Sequence, residues 1–132
     1  MTQNEIDLLL QDICSRLAYG VKVEYENEIF DVEYVSPMYE EVKLDIPETW
    51  TIGVSEVKPY LFPMSSMTEE QKKELNDITN LDIDIAISHI KNDIPNYFTG
   101  LNRLNWLLKN HFDIYDLIPM GLANDATGLN IY

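Results

Sequence analysis

Apolar residues change their spacing twice along this 132-residue chain, and each change marks a change of structure. From Thr2 to Ala18, Ile6, Leu9, Leu10, Ile13 and Leu17 recur every three or four residues. That period places them on one face of an α-helix. Thr2, with Glu5 three residues on, forms a capping box, and Gly20 supplies the stop. From Val21 the period falls to two. Val21, Val23 and Tyr25 alternate with Lys22 and Glu24. After a turn at Glu26-Asn27-Glu28, Phe30, Val32 and Tyr34 alternate with Asp31 and Glu33. Val42, Leu44 and Ile46 then alternate with Lys43 and Asp45, between breaks at Ser36-Pro37 and Pro47. Trp50 to Val57 reads as a fourth strand, with Gly53 as a bulge or close contact. The pattern predicts a four-stranded antiparallel meander, able to curl into a small barrel and covered by the first helix.

The second change falls in Lys58–Leu75, KPYLFPMSSMTEEQKKEL. Pro59 removes a backbone donor, so a strand here should end or lie on an edge, and Pro63 repeats the interruption. Tyr60, Leu61, Phe62, Met64 and Met67 gather apolar bulk that should pack between the two halves. Thr68 with Gln71 makes a second capping box, and Glu69 and Glu70 suit the positive end of a starting helix. Leu75 and Ile78 are its expected anchors. Leu81 to Ile94 alternates like a strand at first, but Ile83, Ile87, Ile90 and Ile94 favour a helix that Pro95 ends. Phe98-Thr99-Gly100 reads as a connection. Leu101 to Asn110 reads as a further helix that buries Leu101, Leu104, Leu108 and Trp106 or Leu107. Beyond the turn-rich Asn124–Gly128, Leu129, Ile131 and Tyr132 are expected to dock back or add a short edge strand.

The expected fold is therefore one α+β domain over residues 1–132. Residues 1–64 form a helix and strand-rich half, and residues 65–132 form a helical half. The length suffices for a core. Composition adds one sharp fact: 23 acidic residues against nine basic ones give a net charge of −14. Such a charge opposes direct binding to nucleic acid phosphates or to an anionic membrane, and it suits a partner protein with a basic surface. The acids are scattered, and a solvated surface is the simplest account of them. The start MTQNEIDLLLQ lacks the basic region of a signal peptide, and no apolar run has membrane-spanning length, so a cytoplasmic setting is expected. The single cysteine, Cys14, falls within the first helix and reads as a small core residue.

Chemistry-bearing residues are sparse. His111, Asp113 and Asp116 could form a general base or half of a metal site. The competing reading is a histidine at a helix C-terminus, with Asp113 capping the next turn. His89, 22 residues from His111, shares no ligand spacing with it. Asp82-x-Asp84, near Asp77 and Asp93, starts like a calcium loop, but Ala86 and Ile87 stand where oxygen ligands and a glycine are required. Ser65 and Ser66 lack the frame of a nucleophilic serine. No catalytic, cofactor or metal residue is assigned; His111, Asp113 and Asp116 are the candidates if the chain is an enzyme.

Three stretches nevertheless form a recognisable set: Leu17-Ala18-Tyr19-Gly20-Val21-Lys22, then Val57 to Glu70, then Asn110-His111-Phe112-Asp113 continuing through Leu117-Ile118-Pro119-Met120-Gly121-Leu122-Ala123. In order and spacing the set resembles a family of small uncharacterised proteins encoded by Bacteroidetes phages and prophage-like elements. The resemblance covers about half of the chain in pieces and omits the middle, about Asn76 to Asn105. It implies a bacterial cytoplasm during infection or in a lysogen, and it carries no functional residue across. Asp113-Ile114-Tyr115-Asp116 departs from the Tyr-Arg-Gly or similar run of the family. The expected function is that of an accessory protein that binds another protein, in its sharpest form by blocking a basic surface of a host defence protein. The alternatives are a hydrolase or nuclease-like enzyme using His111 with Asp113 or Asp116, and a self-assembling structural component.

Overall fold

A computed structural model describes residues 1–46, 51–78 and 98–132; side chains are described from residue 102 onward in the last stretch. Helix α1 spans Gln3–Arg16. Its capping box is complete: Thr2 Oγ1 accepts from the Glu5 N–H at 3.2 Å, and the Glu5 carboxylate accepts from the Thr2 N–H at 2.8 Å. Two of the first-turn donors are thereby satisfied. A short 3₁₀ turn, Leu17–Tyr19, follows and ends at Gly20, whose φ of 82° lies in the region where a side chain is strained. The inner face of α1 carries Leu9, Leu10 and Ile13, and also Asp12 and Arg16. Cys14, expected in the core, is exposed instead. One residue past Ile13 turns it about 100° away from the buried stripe.

Six strands follow rather than four: β1 (Lys22–Tyr25), β2 (Glu28–Ser36), β3 (Glu41–Leu44), β4 (Ile52–Gly53), β5 (Lys58–Leu61) and β6 (Asn124–Asp125). They lie in the order β4-β3-β2-β1-β5-β6, antiparallel except for the β5–β6 pair. The expected fourth strand, Trp50 to Val57, stops at Gly53 because Val54–Glu56 is a 3₁₀ turn, and β5 starts beyond its expected end. β5 runs through Pro59, which sits opposite Val23 of β1. The proline is tolerated because β6 reaches only Tyr60 and Leu61, so Pro59 has a ladder neighbour on one side only.

The register of β2 shifts between Val32 and Tyr34. Val23 pairs with Phe30 and Val32 with Leu44, all facing inward. The bulge then absorbs one position, so Val35 opposite Val42 faces the core and Tyr34 opposite Lys43 faces out. Tyr34, expected inside, is accordingly 45% exposed. An inserted residue reverses every later facing in a strand whose side chains alternate.

The sheet is not closed, yet it cannot be flat. In the strand order, β4 and β5 are four positions apart, which in a flat sheet is about 19 Å. Only the four residues 54–57 join them, three of them in the 3₁₀ turn. That connection reaches about 13 Å at 3₁₀ and extended rises. The sheet must curl, and α1 fills its concave side. Leu9, Leu10 and Ile13 pack there with Val21, Val23, Val32, Val42, Leu44, Ile52, Val54, Val57 and Leu61, joined by Leu117, Leu122 and Ala123.

The remainder is helical over residues 69–78 (α2) and Phe98–Lys109 (α3), then turns as far as β6. The second capping box is formed, with Thr68 and Gln71 exchanging bonds of 2.9 and 3.1 Å. Phe98, Thr99 and Gly100, expected as a connection, are the first residues of α3. Leu75, Trp106 and Phe112 form a second buried cluster with Phe62, Met67, Ile78 and Leu107, so much of the expected bulk after Pro59 does pack inside. Met64 and Leu104 remain exposed, against expectation. The segment Leu81–Ile94, with Asp82, Asp84, His89 and Asp93, lies outside the described residues, as do Pro47 and Trp50. Among the described residues no helix is long and apolar enough to cross a membrane.

The two clusters meet at one buried ion pair. Asp12 and Arg16 are both 0% exposed, and Arg16 Nε and Nη2 donate to the two Asp12 oxygens at 2.9 and 2.8 Å. Arg16 Nη2 also donates to the carbonyl of Phe112, 96 residues away. Burial pushes the Asp12 carboxyl up from its ordinary value, and the Arg16 guanidinium opposes that rise. Removing one partner strands a charge in the interior. Arg16→Ala should therefore cost about 3–5 kcal/mol in urea unfolding, whereas the paired replacement Asp12→Leu/Arg16→Met should cost clearly less than the sum of its single changes.

Candidate functional site

The expected chemistry centres on the end of α3. Its last turn closes in a specific way: the His111 N–H donates to the Leu108 carbonyl at 3.0 Å, and the Phe112 N–H donates to the Leu107 carbonyl at 3.0 Å. This is a Schellman closure, with His111 at the left-handed position (φ 64°) that glycine usually fills. The apolar contact of that motif is present too, since Phe112 and Leu107 share a cluster.

The chain then runs beside the end of β5. The Phe62 N–H donates to the His111 carbonyl and the Asp113 N–H to the Phe62 carbonyl, both at 2.8 Å. Phe112 therefore points its ring into the second cluster, where Trp106 stacks on it at 5.9 Å, while its carbonyl receives Arg16. The Phe112 N–H and carbonyl are thereby bonded to α3 and α1, while His111 and Asp113 on either side of it bond to the strand-like Phe62.

Asp113 is buried, and both of its oxygens are taken. Oδ1 accepts from the Leu117 N–H at 2.8 Å and Oδ2 from the Ile118 N–H at 2.9 Å. It is a cap for the 113–118 turn, with one acceptor site of each oxygen given to main chain. Asp116 is exposed, has a φ of 56°, and borders a shallow cleft of about 480 Å³ with Asp113, Arg103, Leu104, Leu107, Met64 and Ile114. Two of the three expected residues, Asp113 and Asp116, therefore border one cleft, and His111 is not among the residues that line it. Asp113 serves a turn, Asp116 faces solvent, and His111 lies under a different group.

That group is Tyr132. Its ring stacks on His111 at 3.5 Å with an interplanar angle of 12°, and it also approaches Phe62 at 6.0 Å. The Tyr132 hydroxyl donates to the Tyr60 carbonyl at 2.8 Å and accepts from the Lys22 N–H at 3.0 Å. It thus bridges β1 and β5 just beyond their last paired residues. Burial raises its hydroxyl to about 12, with the Lys22 N–H opposing the rise. Of the alternatives for the last residues, docking is the one seen for Tyr132, while the added edge strand is formed earlier, at Asn124–Asp125.

Burial also lowers His111 to about 4, and the nearby cations Arg16 and Lys22 push it the same way. His111 is therefore neutral at pH 7. Its Nδ1 is buried without a hydrogen bond among the described residues. Ser66, the other nucleophile type considered, donates its hydroxyl to the Pro63 carbonyl at 2.7 Å. Among the described residues no group of three histidine, cysteine or acidic side chains is placed to hold a metal ion.

Comparison with family models, with curated proteins and with solved structures finds no match to this chain. The geometry must therefore speak for itself. Among the described residues it makes His111 part of a clasp between α3, β5 and the C-terminal residues, with Asp113 capping the turn beside it. Sequence reasoning had no means of finding Tyr132 as the partner of His111, because 20 residues, β6 among them, lie between the two.

The clasp makes a pH-dependent prediction. His111 has a folded value of about 4, below its ordinary 6.5, so between those limits the unfolded chain binds a proton that the folded chain does not. Its contribution is whole above pH 6.5 and drains away as the pH falls to 4. The wild-type chain should lose stability over that window more steeply than His111→Asn, a variant that tolerates the left-handed backbone. Chemical unfolding at pH 7, 6, 5 and 4 checks this, and subtracting the two profiles removes the carboxylates common to both. Tyr132→Phe should cost about 1–3 kcal/mol at pH 7, because it leaves the Lys22 N–H and the Tyr60 carbonyl without their partner.

Proposed function

We propose that this chain is a non-enzymatic accessory protein that acts by binding a partner protein through a basic surface of that partner. The observation that carries the reading is the fate of its charged groups. The histidine and carboxylate best suited to chemistry are spent on holding the chain together. Much of the acidic surface, by contrast, is left un-neutralised. Ion pairs among the described residues engage Asp12, Asp31, Glu33 and Glu69. Glu26, Glu28, Glu40, Glu41, Glu70 and Glu74 have no basic partner there. With a net charge of −14, such a surface steers toward positive partners and repels phosphate backbones and anionic lipid.

The resemblance to phage and prophage proteins supplies the setting of this reading: a bacterial cytoplasm, with a host or phage protein as the partner. Its sharpest form is a blocker that covers the basic working surface of a host defence protein. The binding reading predicts that the immobilised chain captures a basic protein from extract of a bacterial host and releases it as salt is raised. His111→Asn should capture equally well, since His111 faces Tyr132 rather than solvent partners. Loss of capture in that variant while its fold persists, or capture indifferent to salt, would count against the reading.

A further inference from the structure

The β2–β3 hairpin ends in a turn that holds the most exposed of the large apolar side chains among the described residues. Met38 is 83% exposed and Tyr39 71%. Neither packs on the protein, yet the backbone that carries them is fixed. The Glu40 N–H closes the turn onto the Pro37 carbonyl at 3.3 Å. The Glu40 carbonyl accepts from the Val54 N–H at 2.8 Å, tying the turn to the 3₁₀ segment after β4. The Glu40 carboxylate accepts from Gln3 Nε2 at 2.9 Å, tying it to the first turn of α1. The same Gln3 nitrogen donates to Asp7. Hydrogen bonds within the turn, to the 3₁₀ segment and to α1 thus tie down the Glu40 end of a tip whose apolar side chains gain nothing from the fold. A fixed backbone reduces the ordering cost of binding, and Tyr and Met are residues that interfaces favour.

The charge around the tip is equally one-sided. Asp7, Glu40 and Glu41 have only neutral partners: Gln3 serves the first two, and the Thr51 hydroxyl serves Glu41. Lys43, the basic residue on the same hairpin, is engaged by Glu33 at 2.7 Å. An apolar pair carried on the same turn as carboxylates that have no cationic partner among the described residues is complementary to an apolar socket rimmed by lysine or arginine.

We propose that Met38 and Tyr39 are the anchor residues of the partner-binding surface, and that Asp7, Glu40 and Glu41 engage a basic rim on the partner protein. This rests on the binding reading above and assigns it a place. The probe is a synthetic peptide bearing a Leu-Phe pair flanked on each side by two lysines, titrated into the ¹⁵N-labelled full chain. It should shift the amides of residues 36–41 together with Gln3 and Asp7. Tyr39→Ser and Met38→Ser should each weaken it at least tenfold without lowering the unfolding temperature, since neither side chain is packed. Changing the peptide's Leu-Phe pair to Ser-Ser, or its lysines to glutamate, should abolish the shifts. No shifts, shifts centred elsewhere, or equal affinity in Tyr39→Ser would overturn the assignment. The two ideas fail separately: a basic host protein captured as well by the Met38→Ser/Tyr39→Ser chain as by wild type sinks the tip but not the binding reading. Absence of any salt-sensitive capture sinks the binding reading.

Discussion

A charge that has been taken out of water must be answered at once, and Arg16 imposes that demand on the whole molecule. Its guanidinium is fully buried on the inner face of α1, with Asp12 as counter-ion and the Phe112 carbonyl as a further acceptor. A buried pair of this kind is poor evidence of net stabilisation, because desolvation consumes much of the attraction. What it provides is selectivity of arrangement. Any packing that moves the His111–Asp113 segment away from α1 takes an acceptor from Arg16. The Schellman closure of α3, the bonds between Phe62 and its neighbours, and the seating of Phe112 between two clusters are all consistent with that single requirement.

The sheet shows the same economy of local devices. One bulge in β2 changes which residues face the core, and one 3₁₀ turn after β4 forces the curl that makes room for α1. Neither feature changes the composition of the sheet. Both decide which side chains are left outside, and Tyr34 and the Met38–Tyr39 tip are there because of how β2 bends and ends.

Much of this fold is legible in the order of the residues, and the gaps have physical causes. Helix α1 declares itself through its stripe and capping box, and the start of α2 through Thr68 and Gln71. The hairpins of β1, β2 and β3 follow from alternation. Tyr34 was misplaced because a bulge has no signature in an alternating pattern. Cys14 was misplaced because a helical stripe is narrower than the helix that bears it. β5 was hidden by Pro59, whose cost vanishes when the neighbouring strand is only two residues long. β6 was hidden by its brevity. Arg16 could have been read: an acid and a base four residues apart, both falling on the apolar face, signal a buried pair. The candidate site is legible in part. Asp113 as the cap of the next turn follows from its place just after the helix end, and its bonds to the Leu117 and Ile118 amides agree, whereas the stacking of Tyr132 on His111 comes from tertiary contact with no sequence mark.

The parallel ladder between β5 and β6 joins Tyr60 to Asn124, and Arg16 waits for Phe112. Both are contacts between the early and late parts of the chain, and such contacts form slowly because a long loop must close first. On the ribosome, α1 and the first five strands emerge well before the segment that completes them. Until it arrives, Leu61 and its neighbours lack their cover, and Arg16 has only Asp12 for company. The nascent protein passes through a stage in which its core is assembled on one side only. That interval is when a protease or a chaperone has its best opportunity to act on it.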